Sequence, residues 1–226
     1  MTRELDQQSQ RSFTLFGGVL NRGGRVIWAL EELEAKYELK DLKLFQGEHK
    51  HPAFTQINPK AKVPALIIHH PTEGDEILTE SLAILYTLAQ RSPEALLWPN
   101  EIKTQSKCHE WLAFAATELE PPLWIHAKHS FVYPERRRVP EIFSSCEYDY
   151  QKALDHLELA LNTRTTEWVC ADHFTIADLY IAHTLMWGAT RSLGTIGAST
   201  QAYLQQIKAR PAWQRVFIKP KNEPTP

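Results

Sequence analysis

No stretch of this chain reaches the roughly 18 consecutive apolar residues that a membrane-spanning helix needs. Basic charge is not in excess either. The formal net charge is −2, which argues against a field built for nucleic acid, and the run Arg136-Arg137-Arg138 is short enough to read as a solvated helix face or loop. Cysteine is scarce. Cys108, Cys146 and Cys170 are odd in number and widely spaced, so they fit neither a disulfide framework nor a zinc pattern and are expected as buried free thiols. Residues 1–11 are polar and lack the apolar run of a secretion signal; they read as a flexible lead-in, and the protein as cytoplasmic. Metal-ligand spacing is missing despite ten histidines. His69 and His70 are adjacent, so on a strand they point to opposite faces. Glu48-His49-Lys50-His51 lacks the i, i+4 pairing of a zinc-hydrolase helix. No metal is expected, and there is no internal repeat or low-complexity tract.

What is present is an ordinary globular composition. The chain has 226 residues, 43% hydrophobic and 23% charged, enough for one large domain or two small ones. Residues 12–16 favour a strand. Val26, Leu30, Leu33 and Tyr37 follow at helical spacing, predicting a helix over 25–37. Leu42 and Leu44 flank Lys43 in the alternation of a second strand. Residues 63–68 form a compact apolar run with 76–79 as a hairpin partner, and 81–91 return to helical spacing. The order is β-α-β, then β-β-α, and the first crossover predicts a parallel pair. Pro93 and Pro99 mark a linker over 91–100.

Beyond the linker everything reads as helix. Tyr150, Leu154, Leu157 and Leu161 form one stripe. Thr175 with Asp178 makes an acidic variant of the capping box, and Phe174 and Leu179 hold the positions of a hydrophobic staple. That pair is read as a folding signal. Residues 202–207 predict a last helix that Pro211 stops or restarts, and 219–226 are expected to be loose.

Three short pieces carry chemistry. Pro64 precedes an apolar strand; base rates favour a trans bond, whereas a cis bond exposes the Val63 backbone for pairing with an extended ligand. Glu80 and Ser81 stand at the start of a helix. Ser81 is an N-cap there, or the open helix start receives a carboxylate while Glu80 attracts an ammonium. Together they suit the two charges of an amino acid end. Gly47-Glu48-His49-Lys50 is a solvated charged loop, or, with Lys62, a source of cationic donors for a distant carboxylate.

In their order and spacing these pieces resemble the cytosolic glutathione S-transferases. The likeness runs from Leu15 to about Phe217. Its matching stretches are Leu15-Phe16-Gly17, Arg25-Val26 with Ala29-Leu30-Glu31-Glu32-Leu33, Gly47-Glu48-His49-Lys50, Asn58-Pro59 through Leu66, Glu80-Ser81 through Ile84, Thr175-Ile176-Ala177-Asp178, and Ala209-Arg210-Pro211-Ala212. The resemblance implies an α/β plus all-α fold: a thioredoxin-like glutathione-binding domain over 11–90, then an all-helical domain over 101–220 that supplies the electrophile site. It implies a homodimer, a cis Pro64, no cofactor beyond glutathione as substrate, and a detoxifying transferase acting on small apolar electrophiles, with peroxidase activity from the same thiolate. By the same resemblance Glu80 and Ser81 bind the γ-glutamyl end of glutathione, Val63 pairs with its cysteinyl unit, and His49, Lys50 and Lys62 lie near its glycine carboxylate. The second substrate is implied between the domains, where Trp111, Phe114, Trp124 and His126 are candidate walls, Trp111 and Phe114 foremost.

The pattern departs where the sulfur is activated. The family places Ser, Tyr or Cys after the first strand, yet none occurs between Leu15 and Arg25. Counting back four from Arg25 gives Asn21. A free thiol has a pKa of about 8.5, and hydrogen-bond donors lower it by favouring the anion. An amide donates, so Asn21 stabilises the thiolate, or it only caps the first helix. Gly23 and Gly24 allow close backbone approach there, or only make the turn. Beside the enzyme stand a non-catalytic glutathione-binding protein and a protein-interaction module on the same fold. The latter is disfavoured because the chain ends about where the helical domain should.

Overall fold

The computed structural model describes residues 12–218; the readings of residues 1–11 and 219–226 lie outside it. The chain packs as two compact units. One takes in the chain through Leu97 together with the segment from Arg210, and the other is Trp98–Ala209.

The first unit is built on four strands, β1 Ser12–Gly17, β2 Tyr37–Asp41, β3 Ala65–His70 and β4 Gly74–Thr79, in the order β2-β1-β3-β4. β1 pairs with β2 in parallel, as the crossover rule requires, and the other two pairings are antiparallel. Helices α1 Gly23–Glu32, the single turn α2 Pro52–Thr55, and α3 Ser81–Gln90 join the sheet. This is the implied thioredoxin-like arrangement. Leu15, Leu66 and Ile68 of the sheet, Val26 and Leu30 of α1, and Ile84 and Leu85 of α3 are fully buried.

Two element boundaries differ from the sequence reading. The first helix stops at Glu32, because Glu34 takes a left-handed conformation (φ 51°) that turns the chain and frees Tyr37 for the sheet. The second strand is therefore β2, pairing Phe13 with Tyr37, and Leu44 lies in a short 3₁₀ turn, Leu44–Gln46. β2 is an edge strand with residues 38–41 exposed, so it carries no apolar alternation to betray it.

The second unit is helical: α4 Ile102–Phe114, α5 Glu120–Ala127, α6 Phe143–Thr163, α7 Ile176–Thr190 and α8 Ala198–Lys208. Between α4 and α5 the chain loosens to a π turn over Ala115–Leu119, because Pro121 and Pro122 offer no N–H to the preceding carbonyls. The stripe Tyr150, Leu154, Leu157 and Leu161 is buried on α6. The capping box forms: the Thr175 hydroxyl accepts from the Ala177 N–H, and the Thr175 N–H donates to Asp178 at 2.9 Å. Asp178 is fully buried and also accepts from the Val169 N–H and the Tyr203 hydroxyl. Cys108, Cys146 and Cys170 are buried free thiols.

Pro211 restarts a helix, α9 Pro211–Phe217, as its first residue. This helix packs in the first unit, against α1.

Candidate functional site

The sheet register brings the sequence-predicted pieces together within the first unit. Asp41 pairs with Gly17, Phe16 with Ala65, and Ala65 with Thr79. One end of the sheet thus carries the exit of β1, the entry of β3 and the exit of β4. Asn21 follows the first by four residues, Val63-Pro64 precedes the second, and Glu80-Ser81 follows the third. The Arg25 guanidinium, fully buried, donates to the Ser81 hydroxyl at 3.4 Å, so the starts of α1 and α3 meet at this end.

Asn21 sits in the turn before α1. Its side-chain oxygen accepts from the backbone N–H of Gly23 at 2.8 Å and of Gly18 at 3.2 Å. Backbone N–H groups only donate, so the oxygen must be the atom facing them. The amino group of the carboxamide points away, with no partner among the described residues. Gly23 is required in this turn: a side chain there would bring its Cβ to 2.7 Å from the Gly18 nitrogen.

The Val63-Pro64 bond is cis, against the base rate and with the resemblance. The loop before it is braced by Asn58, which is buried, donates to the Lys62 carbonyl at 2.7 Å and accepts from the Lys60 N–H at 3.1 Å. The buried Asn58 amide thus holds the chain at Lys62, the residue that leads into Val63. Glu80 has φ 70°, a left-handed conformation that costs a residue with a side chain about 1–3 kcal/mol and clusters at ligand sites. It makes the reach of Glu80 a built feature of the fold. Ser81 is the first residue of α3, not its N-cap, and among the described residues no side chain caps this helix start.

Lys60, which sequence reasoning passed over, places its ammonium 2.9 Å from the Glu80 carboxylate. Nothing local signals it, because the partners lie 20 residues apart. Lys50 and Lys62 are exposed, their ammonium groups unpartnered among the described residues. His49 differs from the expected cationic donor. Burial, then Lys50 beside it, pushes its imidazole below the ordinary value, which favours the uncharged ring, and Nδ1 is buried with no hydrogen-bond partner among the described residues.

In the second unit, Trp111 and Phe114 of α4 stack edge to face at 5.4 Å between centroids, with His156 of α6 at 5.1 Å from Phe114. All three keep some exposure. Trp124 and His126 instead pack on Trp187 and Phe143, at 6.5 and 4.4 Å. Among the described residues no group of three or more His, Cys, Asp or Glu is placed to hold a metal ion, and no helix is long and apolar enough to cross a membrane.

Known proteins resemble this chain in sequence and in fold. Residues 11–90 match the family description "Glutathione S-transferase, N-terminal domain". The chain is 29% identical over 208 residues to a probable glutathione S-transferase, GSTF2, of Oryza sativa subsp. japonica, covering 89% of this chain and 94% of that protein. It is 32% identical over 161 residues to glutathione S-transferase GstA of Escherichia coli O157:H7, covering 70% and 73%. The solved structure of Ure2p in complex with glutathione superposes with a TM-score of 0.78 at 25% identity, covering 90% of this chain and 97% of that one.

Proposed function

The chain belongs to the glutathione S-transferase family, and from that membership we propose that it binds glutathione at this sheet end and adds its sulfur to small apolar electrophiles. The observation that carries the reading is the orientation of Asn21. Its oxygen is taken by Gly18 and Gly23, which leaves two N–H donors for a ligand. Donation alone suffices to favour a thiolate over a thiol; no acid–base step at Asn21 is needed. The sulfur then attacks an electrophilic carbon, the new C–S bond forms, and a leaving group such as chloride departs with its electron pair.

The rest of glutathione is assigned on complementary charge. Glu80 takes the γ-glutamyl ammonium. The uncapped start of α3 and the Ser81 hydroxyl take the adjoining carboxylate. The Val63 backbone pairs with the cysteinyl unit, and Lys50 and Lys62 answer the glycine carboxylate, with His49 beside them. Trp111 and Phe114 are proposed as apolar walls for the electrophile. Residues 11–90 act as the glutathione-binding domain, and helices within 101–220 supply the electrophile walls. The same thiolate would reduce peroxides. A cytoplasmic homodimer is the proposed working form.

A second reading, a glutathione-binding protein without turnover, draws on the same residue: Asn21 already has a structural task in the turn before α1. Measured glutathione affinity, followed by turnover of a chloronitrobenzene, separates the two. Binding with turnover is expected. Absence of binding overturns both readings, and binding without turnover across a broad electrophile panel leaves the second.

A further inference from the structure

The other end of the same sheet carries a second constellation. Ser12 lies opposite His69 and His69 opposite Asp75, and Thr14, two residues from Ser12, shares that face. Thr14 Oγ1 is 2.8 Å from His69 Nε2, and His69 Nδ1 is 2.8 Å from Asp75 Oδ1. An ionised carboxylate only accepts, so in the neutral ring Nδ1 carries the proton and Nε2 keeps its lone pair. The Thr14 hydroxyl must then donate to Nε2. Carboxylate, imidazole and hydroxyl stand in the order used for nucleophilic acyl transfer.

Thr14 and His69 line a cavity of about 400 Å³, within the range of small-molecule sites. Lys36 lines it too, its ammonium without an ion-pair partner among the described residues. None of these residues takes part in the proposed glutathione site, and β1, β3 and β4 fix all three hydrogen-bonding groups on rigid backbone.

We propose that this cavity is a second, glutathione-independent site that hydrolyses small carboxylic esters through Thr14. Thr14 Oγ attacks the ester carbonyl carbon and passes its proton to His69 Nε2. The C–O bond to the alcohol breaks, and the departing oxygen takes that proton. Water then attacks the acyl-threonine and gives a proton to Nε2, which returns it to Thr14 Oγ as the carboxylic acid leaves. Asp75 stays ionised and holds the imidazole tautomer. Lys36 supplies positive charge to the carbonyl oxygen as it becomes an oxyanion.

Two measurements on the full chain, with no glutathione present, test this. One is hydrolysis of p-nitrophenyl acetate. The other is labelling by a p-nitrophenyl phosphonate, which forms an Oγ–P bond, releases nitrophenolate and leaves a stable adduct for peptide mass spectrometry. The adduct is expected on Thr14. His69→Ala should slow hydrolysis about 100-fold, the usual worth of a positioned general base. Thr14→Val should abolish labelling, while Thr14→Ser should keep it. A phosphonate adduct on other residues only, or hydrolysis by Thr14→Val at the wild-type rate, overturns the proposal. The adduct site in the unsubstituted protein decides the question even if Thr14→Val does not fold.

Discussion

Two backbone amides engage the oxygen of the Asn21 side chain and leave its amino group to donate. A hydrogen bond to a charged group is worth about 1.5–3 kcal/mol, and one pKa unit is about 1.4 kcal/mol. Replacing Asn21 by Ala should therefore raise the thiol pKa of bound glutathione by about 1–2 units, read from the pH dependence of thiolate absorbance; an unchanged pKa would remove Asn21 from the chemistry. Lys60 is the opposite case, a residue that competes. Its ammonium sits on Glu80, where the ligand's ammonium is proposed to go. An exposed pair is worth about 0.2–1 kcal/mol, so Lys60→Met should tighten glutathione binding by up to about five-fold in calorimetry, and Glu80→Ala should weaken it. Equal affinity for both variants would place the ligand elsewhere. Asn21 was legible because a count from Arg25 finds it. The contacts of Lys60 with Glu80 and of Arg25 with Ser81 were not, since each pair lies far apart along the chain and side-chain reach leaves no periodic trace.

At the level of elements, legibility follows burial. The capping box at Thr175 could be read in advance because both of its members are local. Its weight comes from what the sequence does not show: Asp178 also holds Val169 and Tyr203 in the interior. Asp178→Ala strands these donors, and each buried unsatisfied group costs about 1–3 kcal/mol. Chemical denaturation should show a loss of about 3 kcal/mol or more; a loss below about 1 kcal/mol would mean that the network is not holding α7. The hairpin of β3 and β4 is tied to α3 differently. Arg91, just past α3, grips Glu76 of β4 at 2.6 and 3.0 Å, and that hydrogen bonding holds the Glu76 carboxyl below the usual carboxylate range. A depressed carboxylate stabilises the fold above its unfolded-state pKa, and the contribution is lost as pH falls through the folded value. Glu76→Gln should thus narrow its stability gap to the wild type as pH falls below about 5, and a gap constant with pH would show that the pair carries no linkage. β2 was misplaced in the sequence reading because an exposed edge strand needs no apolar pattern, and Tyr37 also satisfied the helical spacing before it.

For the whole molecule, the order of elements follows from pattern and resemblance, but the final return of the chain does not. Helix α9 looks like any other amphipathic helix, and its partners are 178 and 184 residues away. Arg210 binds both oxygens of Glu32 at 2.8 Å, and Arg215 reaches the Glu31 carboxylate and its backbone carbonyl at 2.7 Å. Phe217 meets the fully buried Trp28 edge to face at 5.8 Å. Glu31 and Glu32 each have side chains 9% exposed, so removing the arginines takes the cationic partner from two nearly buried carboxylates that keep the neutral donors Tyr37 and Trp28. Breaking a buried pair costs about 3–5 kcal/mol, less where the arginine is partly exposed, as Arg215 is. Ending the chain at Ala209 should therefore cost the first unit at least about 3 kcal/mol, with the amides of α1 and β2 losing protection in hydrogen exchange. Because α1 begins at the turn that orients Asn21, the same truncation should weaken glutathione binding without altering any residue proposed to touch it. Full protection of α1 and unchanged affinity in the shortened chain would show that α9 rests on this unit without supporting it.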